Sequence, residues 1–143
     1  MVNSRSLSDL LPCARIRAER FIAACAKQGI DVLITSTYRD NESQAAIYAQ
    51  GRTAPGRRIT NAKPGQSFHN YRIAFDFVPI VNGKAIWNDV ALFEHCGEVA
   101  ESVGLEWAGR WKSFKELAHC QYSGGLSLAD LQNGKRPSDS EVA

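Results

Sequence analysis

With 143 residues, 44% of them hydrophobic, 22% charged and 9% aromatic, the chain is ordinary globular material, long enough to bury on the order of 70% of its extended surface around one core. Seventeen basic against fifteen acidic residues give a net charge of +2, too little for a protein that holds nucleic acid by neutralising phosphates. Every apolar stretch is broken by charge before the roughly 18 residues of a membrane span. The opening MVNSRSLSDLLPCARIRAERF lacks the apolar run and cleavage site of a secretory signal, so synthesis in the cytoplasm is expected. Cys13, Cys25, Cys96 and Cys120 show no CxxC spacing and are expected to be buried free thiols of a protein made in a reducing compartment.

Leu10, Leu11, Ala14, Ala18, Phe21, Ile22 and Cys25 recur at three- and four-residue steps, which predicts an amphipathic helix from Ser8 to the stop at Gly29. The β-branched run IDVLITSTYR then predicts a strand. Asn41 with Gln44 three residues on reads as a capping box opening a helix over NESQAAIYAQ. From Gly51 to Phe68 there is no periodicity, and such a length of structureless chain suggests disorder or a functional loop. AFDFVPIVNGKAIW predicts a hairpin around Asn82-Gly83, a pair suited to a type I′ turn. Phe93, Cys96, Ala100 and Val103 predict a further helix from Asn88 to Val103. LEWAGRW, SFKELAH, a strand-like CQY and a polar tail from about residue 134 close the chain. Helices and strands do not alternate as βαβ units, so the expected fold is α+β, a small antiparallel sheet flanked by helices, forming a single domain over 1–143.

Two of the three histidines stand in chemically useful company. His69 precedes Asp76 by seven residues, and on a strand Asp76 would project opposite to Phe75 and Phe77, where an unpaired carboxylate is costly. Glu116 precedes His119 by three, so both can reach one point. His69, Asp76 and His119 suffice to hold a catalytic zinc with a position left for water, and Glu116 can serve as general base. A histidine–aspartate pair is, however, commonly structural. His95 has no carboxylate patterned around it and receives no role, and a Cys2His2 site built on His95-Cys96 and His119-Cys120 has the wrong spacing.

SFHNYRIAFDF resembles the SxHxxGxAxD motif of zinc peptidases related to VanY-type D-alanyl-D-alanine carboxypeptidases, and GLEWAGRWKSFKELAHCQY resembles their second motif. ITSTYRDNESQAAIYAQGRT, TNAKPGQSFHN and GLSLADLQNGKRP are similar to the phage L-alanyl-D-glutamate endopeptidases of that family. The resemblance implies a Zn²⁺ held by His69, Asp76 and His119, with Glu116 as the catalytic base. Arg39 and Ser67 are then expected in the substrate cleft, with Gln44 nearby, although Arg39 also reads as a routine strand-end arginine. Arg72 stands where the family usually has glycine, Ala118 where proline is common, and Arg110 where an acidic residue is frequent.

What the resemblance implies is a zinc-dependent peptidoglycan hydrolase that cuts the stem peptide between L-Ala and D-Glu as a phage endolysin. Its access to the wall would depend on a holin, and a monomer is expected. A D-alanyl-D-alanine carboxypeptidase and a non-catalytic wall-binding module are the alternatives. Arg52, Arg57, Arg58, Lys63 and Arg72 place five positive charges between Gly51 and Phe75 with no acidic residue, leaving the rest of the chain at −3. Either that loop is merely solvated, or it borders the cleft and attracts the carboxylates of stem peptides.

Overall fold

The computed structural model describes residues 1–113 and 115–138. The part of the SFKELAH segment at position 114 and the end of the polar tail, 139–143, lie outside the described residues. The chain folds as α+β, with helices packed around a small antiparallel sheet.

Helix α1 spans Pro12–Lys27. It starts four residues later than the apolar spacing predicts, because the residue before a proline is held out of the helical region and the proline itself suits the first helical turn. Leu11 is accordingly extended at φ −60, ψ 149, and Leu7–Asp9 forms a separate 3-10 turn capped by Ser6. Strand β1 is Asp31–Ser36 and helix α2 is Asn41–Ala49. The cap of α2 is Asp40 rather than Asn41: its carboxylate accepts from Ser43 N at 2.8 Å. Gln44, read as half of a capping box, is thereby released for another task.

Strand β2, Ala74–Val81, runs through the middle of the sheet. It turns through Asn82 (φ 53) and Gly83 (φ 78) into β3, Lys84–Ala85. Two successive positive φ angles are what the type I′ connection requires. Helix α3 is Val90–Ser102, capped by Asp89. Strands β4, Glu106–Trp107, and β5, His119–Gln121, complete the order β1-β2-β5-β4, with β3 also paired to β2. A short α4, Leu128–Gln132, follows. Beyond it the described part of the predicted polar tail, up to residue 138, packs back on the body: Pro137 is buried, and its carbonyl accepts from the Cys13 thiol.

One face of the sheet carries the core. Phe75, Phe77, Cys120 and Trp107 point towards α1 and α3, where Phe21 and Phe93 meet them with ring centroids 5.0 to 5.8 Å apart. Each such ring, fully buried, contributes about 1.5–3 kcal/mol. The four cysteines are buried thiols, as expected. The opposite face, reached by alternate residues of the same strands, carries Asp76, His119 and Gln121. Among the described residues no helix is long and apolar enough to cross a membrane.

Candidate metal centre and cleft

The sheet register assembles the site. Asp76 pairs with His119 across β2 and β5, so both side chains leave the same face. On the other side of β2 a bulge lets β1 gain one residue between Ile34 and Ser36, which sets Ser36 opposite Asp76. His69 arrives from a 3-10 turn, Phe68–Tyr71, that begins in a capping box. The Ser67 hydroxyl accepts from His69 N at 3.2 Å, and Asn70 Oδ1 accepts from Ser67 N at 3.3 Å. Asn70 also donates to the Arg39 carbonyl at 2.9 Å, fastening this turn to the end of β1.

His69 Nδ1 lies 2.7 Å from the Thr37 carbonyl. A carbonyl oxygen only accepts, so Nδ1 carries the proton and Nε2 presents its lone pair to Asp76 Oδ1 at 3.2 Å. His119 Nδ1 approaches the same oxygen at 3.1 Å. One ligand atom from each of His69, Asp76 and His119 lies within 4.8 Å of the others, two nitrogens and an oxygen of the kind that hold zinc. His95 is elsewhere, at the surface beside Gln28.

The charges are arranged to match. Burial of the His69 ring disfavours its charged form and outweighs Asp76, holding its pKa below the usual histidine value. Burial acts in the same sense on His119, but the hydrogen bond and charge of Asp76, with Glu116, prevail and raise it. Burial would raise Asp76 too, yet the two histidines hold its carboxyl far below the usual range. The space between the two rings and Oδ1 therefore draws positive charge, as a proton or as a metal ion, and the residues present fit a divalent cation. Asp76 Oδ2 is taken by Arg39 Nη2 at 3.1 Å.

Glu116 closes a turn with His119, whose N donates to the Glu116 carbonyl at 3.3 Å, and its Oε2 stands 3.7 Å from His119 Nδ1. Burial, assisted by Asp76, raises its pKa. This carboxylate is 44% exposed and faces the cleft. The turn is placed by Trp107, whose indole N–H donates to the Leu117 carbonyl at 2.8 Å. Ala118, at the position where proline was the expectation, uses its carbonyl to accept from Phe77 N at 2.9 Å, a bond that a proline would also make.

A cleft of about 550 Å³ opens over these groups. Residues 59–62 and 66 line it, so the aperiodic loop borders the site. The loop is held rather than loose. Arg52 stacks on Tyr48 at 3.9 Å and donates to the Thr60 carbonyl and Asn61 Oδ1, while Gln44 Nε2 donates to the Ala62 carbonyl at 2.8 Å. Of the five clustered cations, Arg52 and Arg72 are thus engaged within the fold, and Arg57 and Arg58 are exposed without lining the cleft. Arg39 and Ser67 do line it. Gln44 is fully buried, with Oε1 accepting from Arg39 Nη1 at 3.2 Å, so it acts on the arginine. Arg72 occupies the left-handed conformation, φ 62, that a glycine there would take without strain, and stacks on Tyr38 at 3.8 Å.

Sequence reasoning missed Thr37, Trp111 and Gln121. Trp111 sets its ring 5.6 Å from that of His119. Counting two residues along the strand from His119 would have found Gln121.

Residues 60–122 match the family model described as D-alanyl-D-alanine carboxypeptidase. The chain is 38% identical over 129 residues to the peptidoglycan L-alanyl-D-glutamate endopeptidase CwlK of Bacillus subtilis (strain 168), covering 80% of this chain and 74% of that protein. It is 31% identical over 126 residues to the L-alanyl-D-glutamate peptidase of Listeria phage A118, covering 84% of this chain and 41% of that protein, so it spans less than half of the phage relative. A vancomycin-resistance D,D-pentapeptidase, VanY from a VanB-type cassette, solved as a mutant with Zn(II), shares the fold. Its TM-score is 0.58 at 14% identity, over 94% of this chain and 84% of that one.

Proposed function

Because this chain belongs to the D-alanyl-D-alanine carboxypeptidase family of metallopeptidases, we propose that it is a zinc-dependent peptidoglycan hydrolase cleaving the stem peptide between L-Ala and D-Glu. The observation that carries this reading is the convergence of His69, Asp76 and His119 beside an exposed Glu116 at the floor of a peptide-sized cleft. The named bond comes from the two relatives, which are called L-alanyl-D-glutamate peptidases.

His69 Nε2, Asp76 Oδ1 and His119 Nδ1 would hold the Zn²⁺. When bound, the ion polarises the scissile carbonyl and acidifies a water molecule. The Glu116 carboxylate takes the proton of the attacking water and delivers it to the leaving amine. Arg39, through its bond to Asp76 Oδ2, keeps that carboxylate turned towards the histidines, and from the cleft floor it attracts the carbonyl or carboxylate oxygens of the stem peptide. Ser67 lies beside the same subsite, and Gln44 sets the arginine's direction from behind. Ile59, Trp111 and Leu117 give the walls apolar surface that excludes water from the reacting bond.

We assign the protein to host lysis as a phage endolysin, made in the host cytoplasm, admitted to the wall by a holin and acting as a monomeric catalytic unit. The phage relative supports this. Removal of terminal D-Ala is the second reading, favoured by the description of the matching family model. Digesting purified sacculi and analysing the products by mass spectrometry separates them. New N-terminal D-Glu is expected. Release of free D-alanine with the L-Ala–D-Glu bond intact would replace the first reading by the second.

A further inference from the structure

We propose that Gln121 is a positioning residue for His119, and that Glu106, by orienting the Gln121 amide, decides which ring nitrogen of His119 faces the metal. This rests on the metal reading above and extends it to residues outside the ligand set.

The pleat of β5 puts Gln121 on the face of His119, and the β4–β5 register sets Glu106 opposite Gln121. Both His119 and Gln121 are 5% exposed. A glutamine amide can be turned either way, and here its neighbour chooses. Gln121 Nε2 donates to Glu106 Oε1 at 3.3 Å. A carboxylate only accepts, so the reversed amide would set oxygen against oxygen. With its NH₂ committed to Glu106, Gln121 is left with Oε1 for His119, 2.9 Å from Nε2. That oxygen also only accepts, so His119 must carry its proton on Nε2. Nδ1 is then the lone pair, aimed at Asp76 Oδ1 and the metal position.

Glu106 is itself fixed. Ser123 Oγ donates to its Oε2 at 2.8 Å and Ser123 N to its Oε1 at 3.2 Å. The order of control runs from Ser123 to Glu106 to Gln121 to His119. The two histidine ligands thereby receive the same service by different means. For His69 a backbone carbonyl, that of Thr37, does it, which substitution cannot remove. For His119 a side-chain relay does it, which substitution can. Such partners of metal-binding histidines are commonly worth 10–100-fold in metal affinity, an order of magnitude or two.

The test compares wild type, Gln121→Met and Glu106→Ala. Zinc affinity is measured by competition with a chromophoric chelator, and the ring ¹⁵N signals of His119 are recorded on the zinc-loaded full chain, which has three histidines in all. Gln121→Met keeps the side-chain length and loses the acceptor, so zinc binding should weaken by about 10–100-fold. Glu106→Ala frees the amide to turn, so zinc should weaken by less, and the His119 ring signals should broaden or split where wild type shows a single form protonated at Nε2. A merely structural role would leave those ring signals unchanged. Unchanged zinc affinity in both variants, or a wild-type His119 protonated at Nδ1, overturns the proposal. Should Gln121→Met fail to fold, the exposed Glu106 position decides the matter alone. Wild type that takes up no zinc would remove the metal reading together with this one, whereas wild type that binds zinc no better than its variants removes this one only.

Discussion

Asp76 lies opposite His119 across β2 and β5, and its Oδ1 meets His119 Nδ1 at 3.1 Å while its Oδ2 meets Arg39 Nη2 at the same distance. One carboxylate therefore serves the metal position and a buried arginine at once. The register behind it is strict, because a slip of one residue would turn His119 into the core and present Cys120 to the cleft.

Substituting Asp76 and Glu116 should separate structure from chemistry. Asp76→Ala leaves the Arg39 guanidinium, 10% exposed, without its counter-charge, at an expected cost of about 3 kcal/mol. Glu116 is 44% exposed and stands 3.7 Å from His119 Nδ1, a longer and more solvated pairing, so Glu116→Ala should change stability by no more than about 0.5 kcal/mol while abolishing hydrolysis. Urea unfolding checks this, and equal losses in the two variants would show that Asp76 and Arg39 do not depend on each other as described.

The Trp107 indole occupies a slot between two glycines. A Cβ at Gly97 or at Gly109 would come within 2.2 Å of the ring. Each Gly→Ala change should cost about 1–3 kcal/mol by overpacking. Because the indole also holds the Leu117 carbonyl beside the Glu116–His119 turn, kcat should fall with stability at Gly109. A thermal midpoint unchanged by both substitutions would mean that the slot does not confine the ring.

Much of the site could be read from the sequence because its members are chemically unusual for their places. Asp76 sits between two core phenylalanines and Glu116 three residues before His119, and the fold places both carboxylates beside the His119 ring. The parts that could not be read depend on three-dimensional partners. Gln44 imitates half of a capping box, and only the Asp40 cap frees it to hold Arg39. Arg52 looks like one of five solvated cations, until Tyr48 is found beneath it and the wall carbonyls in front of it. The start of α1 moved because Pro12 restricts its predecessor, a local rule that the apolar spacing of Leu10 and Leu11 concealed.

Arg72 is strained and useful at once. Its φ of 62 costs a non-glycine residue about 1–2 kcal/mol, and its stacking on Tyr38 returns about 0.5–1 kcal/mol. Arg72→Gly should therefore be close to neutral in stability. Arg72→Val loses the stack and keeps the strain, and should destabilise. A large loss in Arg72→Gly would show that the guanidinium, with its bond to the Asp9 carbonyl at 3.1 Å, carries more than the strain.

Asp40 gives the fold a dependence on pH remote from the metal. The backbone hydrogen bond from Ser43, with that from Val2, lowers its pKa. A carboxyl lowered in the folded state contributes stability that is present above its unfolded value, about 3.9, and is lost as pH falls through the folded one. Wild type should exceed Asp40→Asn in stability at neutral pH, and the gap should close in acid below about pH 4. A gap that persists unchanged there would show that the charge of Asp40 is not what stabilises the cap.

The most direct test of zinc-dependent cleavage by this site is the amount of new N-terminal D-Glu released from sacculi by wild type and by Glu116→Gln at equal zinc content. Wild type should release it, and the variant should bind zinc as tightly yet release essentially none. An intact L-Ala–D-Glu bond after treatment with zinc-loaded wild type, or release by Glu116→Gln at the wild-type rate, would contradict it.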